Sequence, residues 1–82
     1  MKVFLHRPIF EKLYFMVPAF VRKAFNKQLA FLLADLRHPS LRAKKYHELV
    51  GIWQARITKD WRLYFSIEDE FYNLVDISKH PK

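Results

Sequence analysis

Cysteine is absent from this chain, and glycine occurs once. Without cysteine there can be no disulfide framework, no thiol nucleophile and no thiolate zinc site, so a reducing cytoplasm is the expected location. A single glycine cannot build a glycine-rich phosphate loop. The four histidines are scattered, with no pair at i, i+4 on a helix and no carboxylates at ligand spacing. Neither a metal nor a cofactor is therefore expected.

Long hydrophobic runs are absent as well. Charged residues interrupt every apolar stretch before it reaches the length of a membrane span, and the apolar run in the segment MKVFLHRPIF is too short for a signal peptide. No membrane partner and no export are expected. The 82 residues suffice for one domain, residues 1–82, with a single modest core, and a hydrophobic content of 51% predicts that the chain folds.

Acidic residues are few, with 8 against 15 lysines and arginines, and the formal net charge is +7. A positive field of this kind attracts anionic partners, either nucleic acid or an acidic protein, before any specific contact forms. An ordinary basic protein without a nucleic-acid role carries the same charge. The charge balance therefore points to an anionic partner without identifying it.

The hydrophobic pattern predicts one strand, two helices and three further strands. The first strand covers residues 2–5 and the first helix residues 9–16. The second helix begins after Pro18 and should end near Arg37 or His38, because Pro39 cannot continue it. Its apolar stripe consists of Val21, Phe25, Leu29, Leu32, Leu33 and Leu36. A basic connector leads to a turn at Gly51, the only glycine.

Alternating apolar residues predict strands near 53–57, 61–67 and 72–78. The expected fold is α+β, with an N-terminal strand and a two-helix hairpin packed on a small, mainly antiparallel four-stranded sheet, in the order β-α-α-β-β-β. In the last strand, Val75 and Ile77 are expected to face the helices. This register places Asp76 on the outer face as a local counter-charge, although a shift of one residue would exchange the faces.

Two arginines occupy matching positions in the second and third strands. If the connection has three residues, Arg56 lies opposite Arg62 and both point away from the helices. Like charges in this arrangement cost stability unless an anion lies between them. One interpretation is a guanidinium pair that binds a phosphate and stabilises a pentacovalent transition state. The alternative is that Asp60, Glu68 or Asp76 pairs with each arginine on a solvated face.

Further candidates surround this pair. Arg42, Lys44 and Lys45, in the connector, are candidates for contacts along a nucleic-acid backbone, and an ordinary solvated loop is the alternative. Tyr64, outward beside Arg62, is a candidate for stacking on a base.

The C-terminal segment Lys-His-Pro-Lys supplies two more candidates. One interpretation of His80 is a donor or acceptor of a proton in general acid-base cleavage of RNA, and the alternative is a solvated surface histidine. Lys82 is counted among the RNA-binding cations.

The ordered segments HPSLRAKK, GIWQARITKDWRLYF and LVDISKHPK resemble the RelE/ParE superfamily of toxins from bacterial type II toxin-antitoxin modules. The most specific part is the W-x-x-R-I-T-x-x-W-R-L block, which is similar to the corresponding region of RelE-like and YoeB-like members. The first strand and the two amphipathic helices extend the resemblance over the whole chain. It implies a small toxin that is neutralised by an antitoxin encoded beside it.

In the RelE branch the toxin enters the ribosomal A site and cuts mRNA without a metal, by attack of the ribose 2′-hydroxyl on the adjacent phosphate. The resemblance implies that Arg62 contacts the scissile phosphate and that Arg56 is a basic position of the preceding strand. Lys44 and Lys45 fall where members hold RNA or rRNA. His80 corresponds to a C-terminal histidine or arginine, here without the closing tyrosine of several active nucleases.

The resemblance leaves other functions open. The ParE branch has the same fold and inhibits DNA gyrase without cutting RNA. A degenerate relative would keep only the surface that binds the antitoxin. An endoribonuclease that acts on ribosome-bound mRNA and inhibits translation is the first hypothesis.

Overall fold

The computed structural model describes residues 2–5, 7–47 and 49–79. Its elements in chain order are β1 (Lys2–Leu5), α1 (Arg7–Phe15), α2 (Ala19–Ala34), a 3₁₀ helix (Pro39–Leu41), β2 (Lys44–Lys45), β3 (Trp53–Arg56), β4 (Trp61–Glu68) and β5 (Phe71–Lys79). The strands form one sheet in the order β1-β5-β4-β3-β2. β1 runs parallel to β5, and the other neighbouring strands are antiparallel. The predicted α+β fold is confirmed, and the connector adds β2 as a fifth strand.

Both helices bury one face against the sheet. Ile9 and Leu13 of α1 stand one turn apart and are each 4% exposed. Val21, Phe25 and Leu32 of α2 follow the spacing of an amphipathic helix and are almost completely buried. Within the described residues, neither helix has the length and apolar content needed to cross a bilayer.

Helix α2 ends at Ala34, so the predicted end near Arg37 or His38 is wrong. Asp35 leaves the helical region, with φ −162° and ψ 114°. Its carboxylate Oδ1 accepts a hydrogen bond from the backbone N–H of Arg37 at 2.9 Å. Short polar side chains of this kind compete with helical hydrogen bonds by bonding to the nearby backbone. The local bond at Asp35 therefore stops the helix before Pro39 does.

The core lies between the helices and the inner face of the sheet. The buried apolar residues are Ile9, Leu13, Val17, Val21, Phe25, Leu32, Leu41, Ala55, Ile57, Leu63, Phe65, Tyr72, Leu74 and Ile77. Trp53 and Trp61 are partly buried and pack against this cluster. The opposite face of β3, β4 and β5 is the outer face of the sheet.

A β-bulge corrects the predicted register of β5. Tyr64 of β4 pairs with Asp76, but the next residue, Phe65, pairs with Leu74. The extra residue shifts the alternation of inward and outward side chains. Ile77 faces inward as predicted, at 1% exposure, whereas Val75 is 44% exposed and its predicted inward position is wrong.

The turn before β3 depends on the only glycine. Gly51 has a φ of +81°, in the region that glycine adopts without the steric penalty of a Cβ atom. The predicted turn at this position is confirmed. It brings β2 beside β3, with Lys44 opposite Gln54.

Candidate nucleic-acid interface

The outer face of the sheet carries the arginine pair. Arg56 in β3 is the direct cross-strand partner of Arg62 in β4. The register predicted from the short connection is therefore confirmed. Residues paired in this way project to the same face of a sheet. The two guanidinium groups consequently belong to one surface.

A second cross-strand row runs beside the arginines. Lys44, Gln54, Tyr64 and Asp76 are successive partners across β2, β3, β4 and β5. One cation, one amide, one phenol and one carboxylate therefore follow each other across the outer face. The end of this row at Lys44 and Gln54 adjoins the arginine pair.

A cavity of 210 Å³ is lined by Arg42, Lys44, Gln54, Arg56 and Arg62. We call it the cationic cavity. Four of these five side chains are positively charged, and no acidic residue of the described ranges lines it. Such a concentration of cations suits an anion with several oxygen atoms, such as a phosphate group.

Arg62 is held by the turn between β3 and β4. Its Nη1 donates to the backbone carbonyl oxygens of Thr58 at 2.7 Å, Trp61 at 3.0 Å and Lys59 at 3.1 Å. Its Nε and Nη2 groups make no hydrogen bond within the described part of the chain. This second edge of the guanidinium has the two-donor geometry that matches two phosphate oxygens.

The surroundings of Arg62 disfavour its positive charge. Burial lowers the pKa of Arg62 below its ordinary value, and the charges of Arg56 and Arg42 lower it further. Tyr64 and Asp60 act in the opposite direction. An arginine in a protein nevertheless stays protonated. The charge is therefore retained at a cost that a bound anion would relieve.

No carboxylate forms a salt bridge with either arginine in the described part of the chain. Asp76 lies on the outer face as predicted, but its Oδ1 pairs with Nζ of Lys12 in α1 at 2.9 Å. Neither Arg56 nor Arg62 forms a salt bridge among residues 2–5, 7–47 and 49–79. The interpretation in which Asp60, Glu68 or Asp76 pairs with each arginine is not observed there.

Gln28 of α2 forms hydrogen bonds with the segments that carry Arg56 and Ser40. It was not singled out from the sequence. It is 7% exposed. Its Nε2 donates to the backbone carbonyls of Arg56 at 2.9 Å and Ser40 at 3.0 Å, and its Oε1 accepts from the Ser40 hydroxyl at 3.0 Å. These bonds connect α2 to the 3₁₀ helix and to the end of β3. The available signal was a polar residue at helical spacing between Phe25 and Leu32.

Gln54 was also missed. Strand alternation places it on the outer face, where a polar side chain is expected to be solvated, yet only 5% of it is exposed. It lines the cationic cavity and makes no side-chain hydrogen bond within the described residues. A buried amide at this position offers one acceptor and two donors to a ligand.

The remaining candidates are distributed unevenly. Lys45 pairs with Trp53, so it lies on the face opposite to Lys44, and it lines a separate cavity with Trp53 and Ile67. Tyr64 is half-buried and meets Tyr46 edge-to-face, with ring centroids 5.1 Å apart. The cationic cavity thus receives Lys44 but not Lys45.

His80 and Lys82 lie outside the described residues, and their predicted roles stay predictions. The roles of Arg42, Lys44, Lys45, Arg56, Arg62 and Tyr64 in binding or cleavage are likewise predictions that rest on position and charge.

Comparison with known proteins gives a match in shape. No family model matches the chain, and no curated protein matches it in sequence. It is similar to the YoeB/ParE toxin from Agrobacterium tumefaciens, with a TM-score of 0.78, 14% identity, and coverage of 99% of this chain and 100% of that one.

Two solved complexes show the same likeness. The archaeal RelE-RelB complex from Pyrococcus horikoshii has a TM-score of 0.79 and 15% identity, covering 99% of this chain and 96% of that one. The YoeB-YefM complex from Staphylococcus aureus has a TM-score of 0.76 and 20% identity, covering 99% and 98%. The chain therefore has the fold of the RelE and YoeB toxins, as the sequence resemblance implied.

Proposed function

We propose that this chain is the toxin of a type II toxin-antitoxin module and that it cleaves ribosome-bound mRNA without a metal, which inhibits translation. The observation that carries the proposal is the cationic cavity. Arg56 and Arg62 are direct partners on adjacent strands, and no acidic residue of the described ranges lines the cavity. Directly opposed like charges destabilise a sheet, and a phosphate between them removes that cost. The shared fold with RelE and YoeB toxins supports the same function.

The proposed reaction is a transesterification within the RNA. The ribose 2′-oxygen attacks the adjacent phosphorus, the new 2′-O–P bond forms, and the P–O5′ bond breaks. The 2′-hydroxyl gives its proton to water, and the leaving 5′-oxygen receives one from an acid. The products are a 2′,3′-cyclic phosphate and a 5′-hydroxyl. The pentacovalent transition state carries one more negative charge than the substrate, so nearby cations stabilise it.

The residues divide this work by their geometry. The Nε and Nη2 edge of Arg62 binds two oxygens of the scissile phosphate, and Arg56 contacts the same group from the neighbouring strand. Lys44 and Arg42 bind the adjoining backbone, and Tyr64 stacks on a base. His80, outside the described residues, donates the proton to the leaving oxygen. The proposed chemistry thus uses positioning, charge and one proton donor.

An antitoxin is the proposed protein partner. Two of the similar structures are complexes with a second protein, RelE with RelB and YoeB with YefM. A net charge of +7 favours an acidic binding segment on that partner. Covering the cationic cavity would block access of RNA to Arg56 and Arg62.

The test is induction of the chain in bacterial cells that lack the antitoxin, with growth and mRNA 5′ ends measured together. The parent is expected to arrest growth and to create new 5′ ends in translated mRNA by primer extension. Arg62→Ala is expected to lower cleavage by about 10²- to 10³-fold, as loss of a transition-state donor does. Lys23→Ala, an exposed cation on α2, is the matched control and should behave as the parent.

Because Arg62 also bonds to the turn, Arg56→Ala is examined beside it, and both variants are checked for folding by circular dichroism. Full toxicity of a folded Arg62→Ala variant would show that the proposed centre is wrong. Growth arrest without new 5′ ends would instead indicate a toxin that blocks another target, such as gyrase. Absence of toxicity in the parent would indicate a relative that only binds an antitoxin.

A further inference from the structure

A second cavity, of 520 Å³, adjoins the cationic cavity and has no role in the function proposed above. We propose that it binds the phosphate of the neighbouring nucleotide in the same RNA strand, so that the chain holds two consecutive phosphates. This inference rests on the proposed function and adds a second subsite to it. We call this cavity the flanking cavity.

The two cavities meet at shared side chains. Arg42 and Arg56 line both of them. The cationic cavity lies toward the outer face of the sheet, whereas the flanking cavity opens between α2, the 3₁₀ helix and the end of β3. A strand that places one phosphate in the cationic cavity therefore has its next phosphate within reach of the same arginines.

Charge in the flanking cavity has one sign. Lys27 of α2 joins Arg42 and Arg56 in its lining, and no acidic residue of the described ranges lines it. Lys27 is exposed on α2 and faces away from the hydrophobic core. Lys44 and Arg62 line the adjoining cationic cavity. Together the two cavities are therefore lined by five cations. A path of cations fits a polyanion better than a single small anion.

A neutral donor completes the flanking cavity. The Thr58 hydroxyl oxygen accepts from the backbone N–H groups of Trp61 at 3.2 Å and Asp60 at 3.3 Å. Within the described residues this hydroxyl donates no hydrogen bond, so its hydrogen is available for a ligand oxygen. The Ser40 hydroxyl differs, because it already donates to Gln28. Thr58 thus offers a phosphate oxygen one hydrogen bond beside the cations.

The backbone at the junction of the cavities is strained. Arg42 has a φ of 47° and a ψ of 41°, the left-handed conformation that residues with a Cβ atom seldom adopt. Such strain persists only where the surrounding structure enforces it, and it is concentrated at functional sites. The strained residue is one of the two arginines that both cavities share.

The experiment measures binding of 2′-O-methyl RNA, which cannot be cleaved, to the purified chain by fluorescence anisotropy without ribosomes. The probes are a dinucleotide with one phosphodiester and a hexanucleotide with five. Lys27→Gln is compared with Lys23→Gln, which makes the same charge change one turn away, outside the flanking cavity. Both positions are exposed, so both variants should fold, as circular dichroism would verify.

Lys27→Gln is expected to weaken hexanucleotide binding and to leave dinucleotide binding unchanged. Loss of one phosphate contact lowers the slope of log affinity against log salt by about 0.7 for a single strand. The advantage of the parent over this variant should then shrink by about 2.6-fold between 50 and 200 mM salt, which is that slope applied to a fourfold change. Lys23→Gln should retain the slope of the parent.

The flanking subsite and the proposed function can fail separately in this experiment. Identical affinities and slopes for Lys27→Gln and Lys23→Gln, while Arg62→Ala still weakens both probes, would overturn the flanking subsite alone. If Arg62→Ala binds both probes as the parent does, the proposed function fails and the flanking subsite with it. If the parent binds neither probe, the flanking subsite is overturned, and cleavage on the ribosome is decided by the primer-extension test.

Discussion

Replacing Arg56 by glutamine should make the folded chain more stable, although Arg56 belongs to the proposed site. Arg56 and Arg62 are direct cross-strand partners, and like charges placed in this way cost roughly 0.2–1 kcal/mol. The Arg56 side chain makes no hydrogen bond within the described residues, so its removal sacrifices none there. We expect the free energy of unfolding to rise by about 0.5 kcal/mol at low salt. For a domain of this size that corresponds to an increase in Tm of about 2–4 °C.

The assay is urea and thermal unfolding at about 10 mM and 1 M salt, followed by circular dichroism. The gain should nearly vanish at high salt, because the Debye length falls from about 30 Å to about 3 Å. Lys23→Gln makes the same change in net charge at an exposed site on α2 and controls for general repulsion. Arg62→Gln should lower stability instead, because it removes three bonds to the turn carbonyls.

Two results would refute the reasoning. One is a variant with glutamine at position 56 that unfolds more readily than the parent at low salt. The other is a gain that persists unchanged in 1 M salt, which would assign it to packing and not to charge.

Two further predictions concern buried polar groups. Gln28→Leu should lower the free energy of unfolding by roughly 2–4 kcal/mol in urea, because the carbonyls of Ser40 and Arg56 lose their donor. Gln54→Leu, a matched control at similar burial without such bonds, should cost under about 1 kcal/mol, and equal losses would contradict this account. Burial raises the pKa of Tyr72, and Asp35 raises it further, so stability is full below the unfolded value of about 10 and falls at higher pH. Tyr72→Phe should lose less stability above pH 10 than the parent, and an unchanged alkaline slope would exclude Tyr72 as a cause.

Much of the fold could be predicted from local sequence patterns. Alternation along β3 and β4 and a short connection sufficed to place Arg56 opposite Arg62, because both depend only on neighbouring residues. The bulge at Val75 could not be predicted from the local sequence, since it arises from how β4 and β5 pair. The end of α2 was missed because one side-chain bond at Asp35 outweighed the continuing apolar pattern.

The candidate site was harder to predict from the sequence than the fold, because its composition depends on tertiary structure. The basic connector was visible as a run of charge, but only the fold separates Lys44 from Lys45 by the faces of the sheet. Burial of Gln28 and Gln54 results from packing between elements distant in sequence. Lys27 is one of two exposed lysines on α2, and its place beside Arg42 follows from how the 3₁₀ helix approaches that helix.

The bonds between Arg62 and the turn also bear on the entropy of binding. A free arginine side chain has many rotamers, and ordering it on a ligand costs roughly 0.5–1.5 kcal/mol. Three backbone carbonyls restrict the Arg62 side chain before any ligand binds. Much of the entropy cost of ordering it is therefore already incurred when the chain folds. The direction of the guanidinium is then set by the backbone of residues 58–61. Sequence changes at Lys59 or Asp60 can therefore alter ligand recognition without touching the ligand.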